Sequence, residues 1–250
     1  MNRNTFSEKP HNYVDARPQY PDELYQWIVE HCSHRDLAWD CATGNGQAAV
    51  SLSPYFKSVV ATDISEEQIS HGMQRENVQY LTRTAENSGF DDGSVDLISV
   101  AQALHWFDYS KFWPEVIRVA QPGSLFCAWG YAWMESTPLV DQKLIAPFKA
   151  VIEPHWASNN KLLWDGYRPE DIQFPFTPLK TPKFEIEIKW TLDQLLQYMM
   201  TWSAYKICQK DEESVSALNR IVSEITDLMP REERVQVRMP LTVIAGYIKA

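Results

Sequence analysis

The chain has 250 residues, of which 44% are hydrophobic, and its formal net charge is −10. This length allows one large domain or two small ones, and the apolar content suffices for a sizeable core. The acidic balance argues against nucleic acid as a partner, because tight binding to a phosphate backbone needs cationic side chains that displace its counterions.

Strand-like and helix-like stretches alternate through the first half of the chain. A helix is predicted over residues 22–32, where Pro21 and Asp22 suit a helix start. Five predicted strands follow at 36–41, 58–63, 78–82, 94–102 and 123–132, and predicted helices separate them at 46–56, 65–74 and 109–120. This order indicates βαβ units and a parallel sheet that is covered on both faces.

The alternation stops after about residue 133. The next segment looks helical and is interrupted by prolines, whereas 184–190 (FEIEIKW) alternates like a strand with one polar face. Helical patterns at 191–207 and 213–229 then precede a strand-like end at 235–249. We therefore expect a core with an N-terminal cap over 1–133, a helical substrate-lid insertion over 134–182, and the rest of the core sheet with its helices over 183–250.

A glycine pair and two acids mark the ends of the first two predicted strands. Asp40 precedes Gly44 and Gly46 in DCATGNG, and Asp63 closes the second strand. In an open α/β sheet, ligands bind beyond the carboxyl ends of the strands, and glycine lets the backbone approach them closely. An acid at the second strand end suits the hydroxyls of a ribose. The pattern therefore predicts a cofactor that contains a nucleoside.

The residues around the glycines favour one nucleoside-containing cofactor over another. Ala49 stands where a dinucleotide motif has its third glycine, so the spacing alone does not exclude NAD. Asp40, however, precedes the glycines where a pyrophosphate would arrive, and a carboxylate repels that group. S-adenosylmethionine fits better, because it has a ribose, a sulfonium and an amine but no phosphate.

The chain resembles the class I S-adenosylmethionine-dependent methyltransferases over roughly residues 10–133. The matching segments are DCATGNG, in which Ala42 replaces the first glycine, then VVATDIS, TRTAENSGF, SVDLISVAQALHWFD and RVAQPGSLF. The resemblance implies a Rossmann-like, doubly wound, seven-stranded and mostly parallel sheet with a helical cap. The expected cofactor-binding residues are Asp40, Ala42, Gly44, Gly46, Asp63, Ile64, Ala85, Glu86, Ala101 and Gln102.

A narrower resemblance is to the small-molecule methyltransferases related to trans-aconitate methyltransferase. It is carried by YVDARPQYPDELYQWI and AQALHWFD. It implies an N-terminal segment that caps the cofactor, with Tyr13 over its methionine part and Arg17 near its carboxylate. Surface packing of these two side chains is the alternative.

The expected reaction is transfer of a methyl group to a small molecule, with the oxygen of an organic acid or a hydroxyl as the acceptor atom. Orientation of the reactants can contribute on the order of 7 to 11 kcal/mol, and a base is needed only when the acceptor is protonated. His105 follows the fourth strand and is the candidate base; a structural histidine is the alternative.

Aromatic residues of the insertion and its neighbours are candidates for the acceptor pocket. The predicted lining residues are Trp106, Trp133, Tyr167, Arg168 and Trp202. Apolar walls with one cation suit an organic or aromatic acid, and the alternative is that these side chains form the core of the lid. No cluster of His, Cys and Asp has the spacing of metal ligands, so no metal is expected.

Three other functions stay open at this point: a nicotinamide-dependent oxidoreductase, a cofactor-binding module without catalysis, and a methyltransferase acting on protein or RNA. The four cysteines form no Cys-x-x-Cys pair, which is typical of reduced thiols in the cytoplasm. The sequence shows no apolar core of a signal peptide and no apolar run near ~18 residues, so no membrane association is expected.

Overall fold

The computed structural model describes residues 18–248, which form a seven-stranded mixed sheet with helices on both faces. The strands are β1 (Leu37–Cys41), β2 (Ser58–Asp63), β3 (Val78–Thr82), β4 (Val95–Ala101), β5 (Ala120–Tyr131), β6 (Glu185–Thr191) and β7 (Arg234–Tyr247). Their order across the sheet is β3-β2-β1-β4-β5-β7-β6. The first five strands are parallel, and β7 is antiparallel to β5 and β6. The predicted fold class is confirmed.

The helices lie between these strands and in a long segment between β5 and β6. They are α1 (Asp22–Glu30), α2 (Gln47–Leu52), α3 (Glu66–Ser70), α4 (Tyr109–Val119), α5 (Pro138–Val140), α6 (Ala146–Ile152), α7 (Asn160–Trp164), α8 (Leu192–Met200), α9 (Ser203–Cys208) and α10 (Glu212–Leu228). A π-helical turn (Asp141–Ile145) joins α5 to α6. None of the helices within 18–248 is long and apolar enough to cross a bilayer.

Local sequence explains where several helices begin. The side chain of Ser65 accepts a hydrogen bond from the N–H of Gln68 at the start of α3. Thr191 and Gln194 form a reciprocal capping box at the start of α8. Such caps satisfy backbone donors that have no partner inside the helix, which is why Ser and Thr favour these positions.

Helix ends differ more from the prediction than helix starts. The helix predicted over 46–56 ends at Leu52, and the one predicted over 191–207 is divided into α8 and α9. At this break Thr201 donates its hydroxyl to the carbonyl of Tyr198, and Trp202 adopts extended backbone angles. A side chain that bonds its own backbone competes with the helix, and the apolar pattern alone does not reveal this.

The strand order places the ends of β1, β2 and β4 together at one edge of the sheet. β1 lies between β2 and β4, so the chain changes direction across the sheet at this point. The register pairs Asp40 with Ser99 of β4, and the indole N–H of Trp39 donates to Thr62 of β2 at 2.8 Å. The carboxyl edge of these three strands is the topological switch point, where open α/β sheets bind their ligands.

Candidate functional site

The turn after β1 has an unusual backbone that leaves few of its N–H groups free. Ala42, Gly44 and Gly46 have φ angles of 55°, 58° and 90°. The N–H of Thr43 donates to the carbonyl of Thr62, that of Gly44 to the carboxylate of Asp63, and that of Gly46 to the carbonyl of Thr43. A loop that cradles phosphates needs free N–H groups directed at the anion, and here three are already bonded to acceptors on β2 or in the turn itself.

The two glycines of this turn have different surroundings. A Cβ at position 46 would lie 2.0 Å from the Tyr80 hydroxyl, so protein atoms fill that side of the turn. Of the atoms in residues 18–248, a Cβ at position 44 would meet only the side-chain oxygen of Gln68, at 3.8 Å. Atoms of residues 18–248 therefore leave the space beside Gly44 free, whereas the Tyr80 ring fills the space beside Gly46.

Asp63, at the end of β2, connects the glycine turn with the start of α3. Its Oδ2 accepts the N–H of Gly44 and its Oδ1 accepts the N–H of Ser65, both at 2.9 Å. The side chain is only partly buried, and each carboxylate oxygen can accept a second hydrogen bond. Ile64, the next residue, is 55% exposed and offers an apolar surface beside this carboxylate.

Asp40 is completely buried beneath the glycine turn. It accepts hydrogen bonds from the hydroxyls of Thr43 and Ser99, so it links the end of β1 to the turn and to β4. Burial raises the pKa of this carboxyl to about 6, although both hydroxyl contacts lower it. Near pH 7 the carboxylate is mostly ionised and places negative charge below the site without facing the solvent.

The other predicted cofactor residues lie around the same edge. Ala85 is buried, and the carboxylate of Glu86 accepts the N–H of Asp108 at 3.2 Å. Ala101 ends β4, and Gln102 follows with a φ of 57° and donates its N–H to the carbonyl of Trp129.

Tyr13 and Arg17 lie outside the described residues. The structure begins at Pro18, whose carbonyl accepts a hydrogen bond from the side chain of Gln47 at 2.9 Å. Gln47 is the first residue of α2 and directly follows Gly46, so the described chain starts beside the glycine turn.

His105 is buried and pairs with Tyr167. Its Nδ1 lies 2.8 Å from the Tyr167 hydroxyl, and its carbonyl accepts the side-chain amide of Asn159. Burial lowers the pKa of the imidazole to about 3, so the ring is neutral at physiological pH. These contacts favour the structural interpretation of His105, in which it anchors the segment around α7 to the sheet.

Four tryptophans from separate segments form what we call the tryptophan cluster: Trp133, Trp156, Trp164 and Trp202. The ring of Trp133 lies 6.4, 5.3 and 6.0 Å from the other three, in that order, between ring centroids. Each member remains partly exposed. Two predicted pocket residues, Trp133 and Trp202, are thus brought together.

The remaining predicted pocket residues lie apart from this cluster. Tyr167 is 1% exposed and pairs with His105, and Trp106 is 40% exposed. The guanidinium of Arg168 is on the surface, where it pairs with Asp171 at 2.6 Å and with Asp165 at 3.8 Å.

Several residues that shape the site were missed in the sequence. Thr43 and Ser99 hold Asp40, Tyr80 fills the space under Gly46, and Lys149 lies over Trp133. A serine within the apolar strand β4 is a signal that could have been used, because a buried hydroxyl needs a partner. Lys149 gave no such signal, since a lysine on a short helix usually faces solvent. Residues 18–248 contain no group of His, Cys, Asp and Glu that could hold a metal ion.

The fold and the site define a class I methyltransferase arrangement, and comparisons with known proteins agree. A sequence profile described as "Methyltransferase domain" matches residues 39–128. A protein of Dictyostelium discoideum named as a methyltransferase is 34% identical over 198 residues, which cover 78% of this chain and 74% of the relative. A methyltransferase-like protein of Schizosaccharomyces pombe is 24% identical and matches over 91% of this chain and 88% of its own.

The solved structures include a similar chain, described as a type II methyltransferase from Anaeromyxobacter dehalogenans. It is 34% identical and superposes with a TM-score of 0.81. The match covers 93% of this chain and 98% of the chain in that structure. The chain therefore belongs to the class I S-adenosylmethionine-dependent methyltransferases.

Proposed function

We propose that this protein binds S-adenosylmethionine through Asp63, Gly44 and the residues around them, and transfers its methyl group to a small-molecule acceptor. The observation that carries the proposal is the glycine turn: residues 18–248 leave space beside Gly44, the carboxylate of Asp63 next to it is partly exposed, and three N–H groups of the turn already have acceptors. This arrangement fits a ribose and a cationic group better than a diphosphate. It therefore disfavours the nicotinamide alternative.

Each predicted cofactor residue has a role in this proposal that its position supports. Asp63 accepts the ribose hydroxyls, and the exposed side chain of Ile64 packs on the nucleoside, with Ala85 and Glu86 on the adenine side. Asp40 supplies negative charge from below, near the methionine part and its amine. Ala42, Gly46, Ala101 and Gln102 shape the backbone around the ligand, two of them through their positive φ angles outside glycine.

Tyr13 and Arg17 are retained as candidates for covering the methionine part, as the resemblance to the trans-aconitate methyltransferase group implies. Pro18, which follows Arg17, is hydrogen-bonded next to the glycine turn. The same resemblance supports a small-molecule acceptor, with an acid or hydroxyl oxygen as the methylated atom.

The cofactor supplies an electrophilic methyl group and a neutral thioether leaving group. The protein then has to align the acceptor oxygen with that methyl group and exclude water. A carboxylate acceptor needs no base, and His105 is buried with a pKa of about 3, which makes it a poor proton acceptor at physiological pH. A hydroxyl acceptor would lose its proton to solvent or to a group of the acceptor itself.

Calorimetry with S-adenosylhomocysteine and with NADH tests the cofactor assignment. We expect the first ligand to bind with a Kd in the micromolar range or below and the second to show no heat of binding. Binding of NADH alone would overturn the proposal in favour of an oxidoreductase.

Methyl transfer is then measured from labelled S-adenosylmethionine to a panel of carboxylic acids and phenols, with a protein mixture and RNA as further arms. Label in one of the small molecules is the expected result. Label in protein or RNA alone would contradict the small-molecule assignment, and cofactor binding without any transfer would favour a module that lacks catalysis.

A further inference from the structure

The tryptophan cluster lies next to the strand ends that form the proposed cofactor site. A Cβ at Gly130 of β5 would lie 2.6 Å from the side-chain oxygen of Gln102 and 2.9 Å from Leu163. The end of β4 and helix α7 therefore meet at β5. Trp133 follows Gly130 by three residues, and Trp164 follows Leu163 directly, so the cluster begins where the proposed methyl-transfer edge ends.

The cluster is not a closed core. Phe148 is fully buried and packs against Trp202 and Tyr205, at 6.3 and 5.9 Å between ring centroids, so the buried packing lies on one side of the cluster. The four tryptophans each keep part of their surface exposed. The exposed parts of these rings are unfavourable in water when they are grouped together, and a ligand with an apolar face would cover them.

Two hydrogen-bond donors at this cluster have no acceptor among residues 18–248. The Nζ atom of Lys149 lies 4.4 Å from the centre of the Trp133 ring and forms no ion pair with a carboxylate of residues 18–248. The indole N–H of Trp156 is buried and has no hydrogen-bond partner within that same stretch. A buried donor without a partner costs free energy, and a ligand oxygen would remove this cost.

We propose that the tryptophan cluster and Lys149 form the acceptor site, and that they bind a flat, apolar molecule carrying a carboxylate. The inference rests on the proposed function, because it names the class of acceptor for the same site. The tryptophan rings cover the apolar faces of the molecule, Lys149 pairs with its carboxylate, and the N–H of Trp156 donates to one of its oxygens. Lys149 is already held by the ring of Trp133, so little side-chain freedom is lost on binding.

The test compares 2-naphthoate with its uncharged analogue 2-naphthamide by calorimetry, using the full chain saturated with S-adenosylhomocysteine. We expect the acid to bind at least roughly tenfold more tightly than the amide, the scale of one charge-assisted hydrogen bond. In Lys149→Met, which keeps the apolar stem, this preference is expected to disappear. Lys143→Met is the matched control, because Lys143 is exposed on the same helical segment, and it should keep the preference.

A second variant tests the aromatic side of the proposal. Trp156→Phe keeps an aromatic ring and deletes the N–H, so we expect both probes to bind about threefold more weakly. Equal binding of acid and amide to the unaltered protein, an unchanged preference in Lys149→Met, or no binding of either probe would each overturn the inference. Because S-adenosylhomocysteine binding is measured separately, a failure of the cofactor assignment is distinguished from a failure of the acceptor site.

Discussion

The glycine turn and the tryptophan cluster are built in opposite ways. In the glycine turn, polar groups satisfy each other: Asp63 receives two N–H groups, and Asp40 receives two hydroxyls. In the tryptophan cluster, one cation and one indole N–H have no acceptor in the described part of the chain, and apolar rings stay partly exposed. The polar groups of the first region are thus already fixed by one another, whereas those of the second are still free to bind a ligand in our proposal.

This difference fits the two tasks of a methyltransferase. A cofactor that is the same in every turnover suits a rigid, preorganised cradle, because preorganisation lowers the entropy lost on binding. An acceptor is recognised by the groups left unpaired for it, and an analogue that lacks the matching group leaves those donors unsatisfied. Substitutions in the two regions should therefore have different kinds of effect.

The largest effect is expected where the glycine turn packs against the protein itself. In Gly46→Ala the new Cβ meets Tyr80 and the backbone keeps a φ near 90°, so we expect a loss of about 3 kcal/mol in the free energy of unfolding. Gly44→Ala is the control: it has the strain of positive φ without the clash, and should lose only about 1 kcal/mol. Urea unfolding followed by circular dichroism measures both.

A second substitution separates the two causes of the stability loss in Gly46→Ala, the clash with Tyr80 and the strain of the positive φ angle. Tyr80→Leu in the Gly46→Ala background removes the ring that the new Cβ meets, so part of the lost stability should return. If Gly46→Ala were no more destabilising than Gly44→Ala, the distinction between a packed side and an open side of the turn would be wrong.

The next largest effect is expected at Asp63, whose carboxylate serves both the turn and the proposed ribose. Asp63→Ala leaves the N–H groups of Gly44 and Ser65 without their acceptor and deletes the acceptor of the ribose hydroxyls. We expect S-adenosylhomocysteine to bind more weakly by about 1 to 3 kcal/mol, or roughly 5- to 150-fold. Asp63→Asn keeps one acceptor oxygen and should lose less.

Calorimetry measures these affinities, and Glu66→Ala is the matched control. Glu66 is an exposed carboxylate in the first turn of α3, three residues further along the chain. An unchanged affinity in Asp63→Ala, with circular dichroism showing an intact fold, would refute the ribose assignment.

The glycine turn could be predicted from the sequence because its parts are close together in the chain. Asp40, Gly44 and Gly46 lie within seven residues, and Asp63 ends the neighbouring strand, so one register of a parallel sheet brings them to one edge. The alternation of strands and helices then suffices to place that edge at the switch point. The pattern does not predict side-chain burial: it does not show that Asp40 is buried while Asp63 is partly exposed.

The tryptophan cluster could not be predicted to the same extent, because its members come from distant segments. Trp133 and Trp202 were predicted to line a pocket, but their meeting depends on how the helices between β5 and β6 pack. Tyr167 and Arg168 are adjacent in the sequence, yet one is buried and the other exposed. Outside regular elements no fixed period relates neighbouring side chains, so the direction of each depends on tertiary packing.

Asp40 acts on the glycine turn through its charge, and its effect should be smaller than that of Asp63. Because burial raises its pKa to about 6, the carboxyl is ionised at pH 7.5 and protonated at pH 5. S-adenosylmethionine carries a sulfonium and S-adenosylhomocysteine does not, so the ratio of their affinities should fall by about threefold over this range. In Asp40→Asn the ratio should not depend on pH.

The raised pKa of Asp40 also determines how the stability of the fold changes with pH. The folded protein takes up a proton near pH 6, whereas the unfolded chain does so near its ordinary value of 3.8. The contribution of Asp40 to stability therefore increases as the pH falls from above 6 towards 4. Denaturant midpoints of the protein and of Asp40→Asn across this range isolate that contribution, and parallel midpoints would contradict the raised pKa.

The smallest change in affinity is expected at Arg168. It tests whether Arg168 or Lys149 pairs with the carboxylate of the ligand. The sequence favoured Arg168 as the pocket cation, but its guanidinium is on the surface and pairs with Asp165 and Asp171, whereas Lys149 has no carboxylate partner within 18–248. A surface cation that is already paired has little attraction left for a ligand. Arg168→Met should therefore change the affinity for 2-naphthoate by less than about twofold. If Arg168→Met instead weakened binding more than Lys149→Met, the acid would be held at the Arg168 surface, and the open tryptophan rings would need another explanation.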